Sequence, residues 1–225
     1  MKKISIALLL LSGITLLQSV NAQVFSESAK RKFTVGINLY TTLWQTDFLN
    51  PEVKTRTINQ GTDVFFMYNM PLKKGGLSSF SAGLEIRSEN MYTNATIQDI
   101  KADTIVFTPI KENYKRAKIN VNYINLPLEL KFRTKGGFKA TVGFKVGYLM
   151  SSKQKYVGDR PDDNKHVNEK SIKINQVEKF TYGPSLRVGY KWISVYAYYQ
   201  LSKVFKSGFG PQIYPISLGI TITPF

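Results

Sequence analysis

Apolar and polar residues alternate along most of this chain, most clearly in its last segment. Tyr214, Ile216, Leu218, Ile220 and Ile222 alternate with proline, serine, glycine and threonine, so a strand here has one apolar and one small or polar face. An outer-membrane barrel turns the apolar face of such a strand to lipid and the polar face to its interior. The same alternation predicts eight strands, at about residues 33–43, 62–72, 80–93, 118–133, 138–148, 180–189, 193–201 and 214–225.

The connections between these predicted strands alternate between long and short. Lys73-Lys74-Gly75-Gly76 and Lys135-Gly136-Gly137 predict tight turns, because glycine readily adopts the positive φ that short hairpins need. The polar stretches at about 47–59, 94–115 and 151–175 predict long loops. Long loops at one end and short turns at the other are typical of outer-membrane barrels. The predicted fold is therefore all-β, an eight-stranded antiparallel up-and-down transmembrane β-barrel.

The apolar residues of the fourth predicted strand change parity along its length. Ile119 and Val121 are odd-numbered, whereas Ile124 and Leu126 are even-numbered. Because side chains alternate strictly between the two faces of a regular strand, the sequence predicts a bulge near Tyr123 that reconciles the two patterns.

A soluble eight-stranded barrel of the lipocalin type, with a ligand cavity, is the alternative architecture. It would have to point Phe, Leu and Tyr side chains inward from every strand, and it leaves the unequal loops unexplained. The strand faces favour the membrane barrel, because charged residues lie opposite the apolar face: Glu85, Arg87, Glu129, Lys131, Lys139, Lys145 and Arg187.

The first 22 residues predict a secretory signal peptide. Met1-Lys2-Lys3 is basic, residues 4–17 are mostly apolar, and Val20-Asn21-Ala22 is a small-residue cleavage site. The apolar run is shorter than the roughly 20 residues that a membrane-spanning helix needs. We therefore expect cleavage after Ala22, a single barrel domain over residues 23–225, and a location in the outer membrane of a Gram-negative bacterium.

Composition narrows the possible partners. The chain has no cysteine, which excludes disulfides and thiolate metal sites. Its net charge of +16 would suggest nucleic acid for an intracellular protein, but an exported chain meets other anions. We expect no nucleic-acid partner. The expected partners are outer-membrane lipids, the phosphates of lipopolysaccharide, and anionic glycans.

Three segments resemble a known group of proteins. These are Tyr123–Lys131 (YINLPLELK), Gly183–Tyr190 (GPSLRVGY) and Ile216–Ile220 (ISLGI). They are similar to the small outer-membrane β-barrels of Bacteroidetes-type bacteria, the PorT-like or porin-family group. The resemblance implies an eight-stranded outer-membrane barrel. The relative that gives the group its name serves type IX secretion and gliding, so the resemblance also implies, as an alternative, an accessory role in a secretion machine with an envelope protein as partner.

No constellation for catalysis or metal binding emerges from the sequence. His166 is the only histidine and lies in a polar loop without an evident orienting group. The Asp162-Asp163 pair lacks the six or more oxygen ligands that calcium takes. We expect no catalytic residue, no metal and no cofactor. An enzyme acting on lipid or peptide at the outer leaflet is the remaining enzymatic alternative.

The interior charges form the main candidate site. A barrel of eight strands leaves a lumen too narrow for open flow, and buried charges are tolerated when they are paired and hydrogen-bonded. The sequence predicts a salt-bridged plug, with an ion or ligand path as the alternative. Its residues are Glu85, Arg87, Glu129, Lys131 and Arg187.

Aromatic residues near the predicted strand ends are expected to anchor the barrel at the membrane interfaces. They are Trp44, Tyr92, Tyr148, Trp192 and Tyr214. The terminal Phe225 is expected to act as an assembly signal, although it is out of phase with the apolar residues before it. Together these features predict a non-enzymatic barrel with a charge-plugged lumen, whose external loops contact surface polymers or a partner protein.

Overall fold

The computed structural model describes residues 32–74, 76–160 and 165–224. The predicted signal peptide, the Asp162-Asp163 pair and Phe225 lie outside these ranges. No helix within the described ranges is both long and apolar enough to cross a membrane. The strands are β1 (Phe33–Asp47), β2 (Gln60–Pro71), β3 (Ser79–Tyr92), β4 (Ala95–Ile97), β5 (Phe107–Pro109), β6 (Tyr114–Arg133), β7 (Phe138–Asp159), β8 (His166–Ile172), β9 (Phe180–Tyr190), β10 (Ile193–Tyr199) and β11 (Gln212–Ile222).

Eight of these strands form a closed antiparallel barrel. In order around the barrel they are β1, β2, β3, β6, β7, β9, β10 and β11, each paired with the next. Pairing of Ile37–Asp47 in β1 with Gln212–Ile222 in β11 closes the ring. This confirms the predicted eight-stranded up-and-down fold.

The outward face of the barrel is apolar over its middle, as the alternation predicts. Leu84 is 59% exposed and Val195 is 67% exposed, and their neighbours on adjacent strands are also large apolar residues. A continuous exposed apolar surface of this kind is not tolerated in water, whereas a lipid-facing band requires it. We call this surface the apolar band. Its outward residues include Val64, Phe66, Leu84, Ile86, Leu126, Leu128, Val142, Phe144, Leu186, Val195, Leu218 and Ile220.

Beyond the apolar band, on the long-loop side, the polarity of the wall inverts. In β6 the odd-numbered residues point inward from Ala117 to Lys131, so that Ile119 and Val121 are buried like Glu129 below them. The prediction that a bulge within this strand brings Ile119 and Val121 to the same face as Ile124 is therefore wrong. The reason is physical: outside the membrane, water surrounds the barrel and the apolar side chains turn to its interior.

A bulge does occur at the predicted height, but its extra residue lies on the neighbouring strand. Asn122 pairs with Ser151, whereas Tyr123 pairs with Leu149, which leaves Met150 unpaired in β7. The inward positions of β7 change accordingly from odd to even, from Lys145 below the bulge to Ser152 above it. β7 can thus turn away from β9 and pair with β8.

The predicted long loops are partly strands. The stretch 94–115 contains the β4–β5 hairpin, and 151–175 contains the end of β7 and all of β8. These pieces fold over the open end of the barrel as a compact cap. Its apolar core consists of Trp44, Val53, Met91, Ala95, Ile97, Ile105, Phe107, Ile119, Val121, Tyr123, Ile174, Val177, Val204, Phe205 and Ile213.

Candidate functional site

The structure places all five predicted lumen charges inside the barrel, each less than a tenth exposed. It brings them into two groups, one nearer the cap and one nearer the short turns. In the group nearer the short turns, the lower group, Glu129 pairs with Arg187 and lies 3.9 Å from Lys131. The Arg187 guanidinium also lies over the ring of Phe65, 4.6 Å from its centroid.

The group nearer the cap, the upper group, is built around Lys145. Its ammonium donates to Glu85 at 2.5 Å and to the Tyr196 hydroxyl at 2.9 Å, and lies 3.4 Å from Asp63. The Asn125 amide donates a further hydrogen bond to Glu85 at 2.7 Å. One lysine therefore faces two carboxylates in the centre of the membrane-spanning part, where an unpaired charge is costly.

A third ion pair continues this group toward the cap. Arg87 pairs with Glu89, donates to the Gln200 side chain at 3.3 Å and lies 4.4 Å from the ring centroid of Tyr198. Glu89 also accepts a hydrogen bond from the Ser217 hydroxyl at 3.1 Å. Side chains from β3, β10 and β11 thus meet across the lumen, so that the plug connects opposite walls of the barrel.

Aromatic rings fill much of the space that the charges leave. Gly36 is paired with Phe65, and Tyr40 with Gly61. A Cβ added at Gly36 would lie 2.3 Å from the Phe65 ring, and one at Gly61 would lie 2.1 Å from the Tyr40 ring. The rings therefore lie flat over the glycines of the next strand and occupy the lumen.

The space left between these side chains is small. A cavity of about 20 Å³ lies among lumen residues that include Phe65, Lys131 and Arg187, which is room for about one water molecule. Above the plug, the apolar core of the cap covers the end of the barrel. Ion pairs and aromatic rings therefore occupy the lumen between the short turns and the cap.

Asp63, Glu89 and Lys145 are site residues that the sequence-based prediction of the plug left out. Each is buried and lies at an inward position of its strand. Strand parity alone could have found them, since Glu89 follows Glu85 and Arg87 at a spacing of two.

Trp44 is not an interfacial anchor, contrary to the prediction. It is only 7% exposed and belongs to the apolar core of the cap. In β1 the even-numbered residues point inward, with Leu43 on the outer face and Thr42 inside, and Trp44 follows that parity above the membrane. A bulky indole here fills the cap and does not contact lipid.

The other predicted anchors point outward, at different heights. Tyr148 packs against Phe180, with ring centroids 5.4 Å apart, at the long-loop edge of the apolar band. Tyr214 is half-buried near the same edge, and Trp192 is 53% exposed at the short turn between β9 and β10. Tyr92 lies beyond the band, where it contacts cations. The anchoring role of Tyr148, Trp192 and Tyr214 stays a prediction.

A cleft of about 560 Å³ opens in the cap, between the β4–β5 hairpin and the arm formed by β7 and β8. Reciprocal hydrogen bonds between the Ile97 backbone and the Gln154 side chain, 2.7 and 3.1 Å long, fix the hairpin to the arm. On the far wall, Arg160 donates to Glu169 at 2.6 Å. The cleft is lined by Thr96, Ile97, Gln98, Asp99, Ile100, Thr108, Pro109, Ile110, Lys111, Glu112, Gln154, Tyr156, Arg160, Glu169 and Ser171.

His166 lies on the exposed tip of the β7–β8 arm. Its Nδ1 is 3.0 Å from an Asp159 carboxylate oxygen, and the imidazole is mostly in solvent. In the part of the chain that the structure describes, no three His, Cys, Asp or Glu side chains are grouped so as to hold a metal ion.

A closed barrel with a lipid-facing band and a polar interior defines an outer-membrane β-barrel protein. The chain belongs to the family described as outer membrane protein beta-barrel domain, whose model matches residues 21–206. This membership implies location in the outer membrane of a Gram-negative bacterium. The PorT-like relationship stays a prediction from the sequence.

Two solved structures of Ail, the attachment invasion locus protein of Yersinia pestis, are similar to this chain. They share 10% and 11% sequence identity with it, cover 85% of it and 97% of their own chains, and have a TM-score of 0.39. One of them was solved in complex with the heparin analogue sucrose octasulfate. No curated protein matches the sequence.

Proposed function

We propose that this protein is a non-enzymatic outer-membrane barrel that binds a surface polysaccharide in the cleft of its extracellular cap. The observation that carries the proposal is the pairing of a filled lumen with a preformed cleft at the exposed end. A barrel that conducts solutes needs an open interior, whereas this one uses its interior for ion pairs. The part that faces the surroundings is a folded binding surface.

The lining of the cleft supports a polyhydroxylated ligand. Gln98 and Thr108 offer amide and hydroxyl groups, which can each donate and accept hydrogen bonds. Sugar hydroxyls likewise act as both donors and acceptors. The Tyr156 side chain also lines the cleft. Ile97, Ile100, Pro109 and Ile110 line it too, so the cleft offers both polar and apolar contacts.

The net charge of the whole chain, +16, supports an acidic polymer. The cleft itself carries two cations, Lys111 and Arg160, and three carboxylates, Asp99, Glu112 and Glu169. A basic surface attracts polyanions over distances comparable to the Debye length, about 8 Å at physiological salt. We therefore infer that uronic acid or phosphate groups on the polymer strengthen binding.

Changing Gln98 and Lys111 to alanine together is expected to weaken polysaccharide binding about tenfold or more. The change removes one neutral and one charge-assisted hydrogen bond, and the two together account for at least 1.4 kcal/mol. Binding would be measured by surface plasmon resonance of the folded barrel on immobilised polysaccharide extracted from the producing bacterium, with neutral dextran as the reference polymer.

The matched control is Leu49→Ser, at the tip of the first loop, where Leu49 is 98% exposed. That variant should bind the polysaccharide like the unchanged protein, because Leu49 borders a different, apolar groove of the cap. Equal binding by the Gln98/Lys111 double variant and the unchanged protein would refute the polysaccharide proposal. If Leu49→Ser alone reduced polysaccharide binding, the binding surface would instead lie at the loop tips, as expected for a protein partner.

A further inference from the structure

Three lysines lie side by side on the outward face of the wall, above the apolar band. Lys118 of β6 is paired with Lys155 of β7, and Lys155 with Lys170 of β8. Directly opposed residues of antiparallel strands point to the same side, with Cβ atoms about 5 Å apart. On the other side, Lys118 is paired with Tyr92 of β3, whose ring also lies 5.3 Å from the Arg56 guanidinium. We call Arg56, Lys118, Lys155 and Lys170 the basic ladder.

The basic ladder lacks acidic partners. Within the described ranges, none of its four cations forms an ion pair with a carboxylate. Glu169, next to Lys170 in sequence, points to the opposite face of the arm, where it pairs with Arg160. Like charges directly opposite each other destabilise a sheet, so this row is unfavourable until an anion binds it.

The surroundings of Lys118 show the same repulsion. Lys118 lies beyond the membrane-spanning part of β6, where partial burial and the charges of Arg116 and Lys155 lower the pKa of its ammonium. Its hydrogen bond is to a neutral acceptor, the Asn90 side chain, at 2.7 Å. A negative group on the ladder would replace this repulsion by attraction.

A belt of amide side chains separates the basic ladder from the apolar band. Asn122 donates to Asn120 at 2.9 Å and to the Ser151 hydroxyl at 2.8 Å. Asn120 in turn lies 3.3 Å from the Asn90 oxygen. These three asparagines, the asparagine belt, face outward from β3 and β6 and offer the donors and acceptors that sugar hydroxyls use.

The height of the basic ladder decides which lipid it can meet. Ile124, 38% exposed, is the first residue of the apolar band in β6. At about 3.3 Å per residue, Lys118 is roughly 20 Å further along the strand, and a strand tilt of about 40° leaves roughly 15 Å of height. Phospholipid headgroups extend only about 5–8 Å beyond the hydrocarbon core. Sugar headgroups of a glycolipid reach higher.

We propose that the basic ladder and the asparagine belt form a lateral binding site for the phosphorylated sugar headgroup of lipopolysaccharide. The sugars lie along the asparagine belt and an anionic phosphate lies on the row of lysines. The cleft lies on the opposite face of the β7–β8 arm, so this site and the polysaccharide cleft are independent. Such a site fixes the orientation of the barrel in the outer leaflet and gathers lipopolysaccharide around its cap.

The test replaces the three lysines of the row together, as Lys118→Gln, Lys155→Gln and Lys170→Gln. The matched control, Lys73→Gln, Lys74→Gln and Lys135→Gln, makes the same charge change in the short turns at the other end of the barrel. Binding of purified lipopolysaccharide to the detergent-solubilised, folded protein would be measured by microscale thermophoresis. Each lysine lost from a membrane-surface site weakens binding about fivefold, so the row variant should bind on the order of a hundredfold more weakly.

Two further probes identify the ligand. Lipopolysaccharide with its phosphates removed by hydrofluoric acid should bind the unchanged protein about as weakly as intact lipopolysaccharide binds the row variant. Phosphatidylglycerol micelles should bind the row variant and the unchanged protein alike. Retained affinity of the row variant, an equal loss in the turn control, or phosphatidylglycerol binding that depends on the row would each overturn the proposal. Polysaccharide binding by the Gln98/Lys111 variant is measured separately, so failure of one proposal does not decide the other.

Discussion

Replacing Lys145 with methionine is expected to lower the free energy of unfolding of the barrel by about 3–5 kcal/mol. The Lys145 ammonium faces Glu85 and Asp63 at 2.5 and 3.4 Å, and all three side chains are buried. Methionine has a similar volume but no charge, so the variant leaves two carboxylates close together without a counter-charge. Removing one partner of a buried ion pair lowers the stability of the fold far more than the intact pair raises it.

The change would be measured by urea titration of the barrel in lipid vesicles, following tryptophan fluorescence. Lys135→Met, in an exposed turn, makes the same substitution and should change stability by no more than about 0.5 kcal/mol. Adding Asp63→Asn and Glu85→Gln to Lys145→Met should recover much of the loss, because no uncompensated charge is then left in this group. A Lys145→Met variant within 1 kcal/mol of the unchanged protein would contradict the plug.

Replacing Phe205 with alanine is expected to lower the free energy needed to open the cap by about 3–5 kcal/mol. The membrane-spanning barrel should stay folded. Phe205 is 1% exposed and packs edge-on against Phe107, with ring centroids 6.0 Å apart. Phe107 in turn contacts Phe48, at 5.0 Å. The substitution leaves a cavity where the first, second and fourth connections of the cap meet. Strands in the apolar band keep their hydrogen bonds and their contact with lipid.

Limited trypsin digestion of intact vesicles measures this opening. Cleavage in the cap, at sites such as Lys101 and Lys206, should be at least a hundredfold faster in Phe205→Ala, because local opening controls access to the protease. The unboiled protein should still migrate faster than the boiled one on SDS gels. Phe209→Ala, a change at a 45% exposed residue, is the control and should be cleaved like the unchanged protein. Equal cleavage of Phe205→Ala would contradict a cooperative apolar cap.

The membrane-spanning part of this fold could be predicted from the sequence because one rule governs it. Lipid outside and polar side chains inside impose a period of two, so the alternation around Leu84 and Glu85 gives both the strand and its faces. Above the membrane the solvent changes while the alternation continues, so the apolar side chains of Ile119 and Trp44, expected on the outside, lie inside. The pattern of apolar and polar residues alone does not show where along each strand the membrane ends.

The candidate sites depend on contacts between distant parts of the chain. The alternation of the two strand faces placed Glu85, Arg87 and Glu129 in the lumen. Their ion-pair partners depend on how neighbouring strands are aligned with each other. The basic ladder requires Lys118, Lys155 and Lys170 to be level on three strands, which a two-residue shift in either pairing would abolish. The cleft requires a three-residue hairpin strand, Ala95–Ile97, too short for its alternation to stand out in a polar stretch.

Conductance of the mature protein in planar lipid bilayers tests the closed barrel most directly. The same preparation should show the faster-migrating unboiled band, so that folded barrels are known to be present. The structure predicts no discrete current steps above the bare bilayer, because ion pairs and aromatic rings fill the lumen and the apolar core covers its outer end. Stable ohmic steps of the kind that open porins produce would contradict the central claim that this barrel is a binding protein and not a channel.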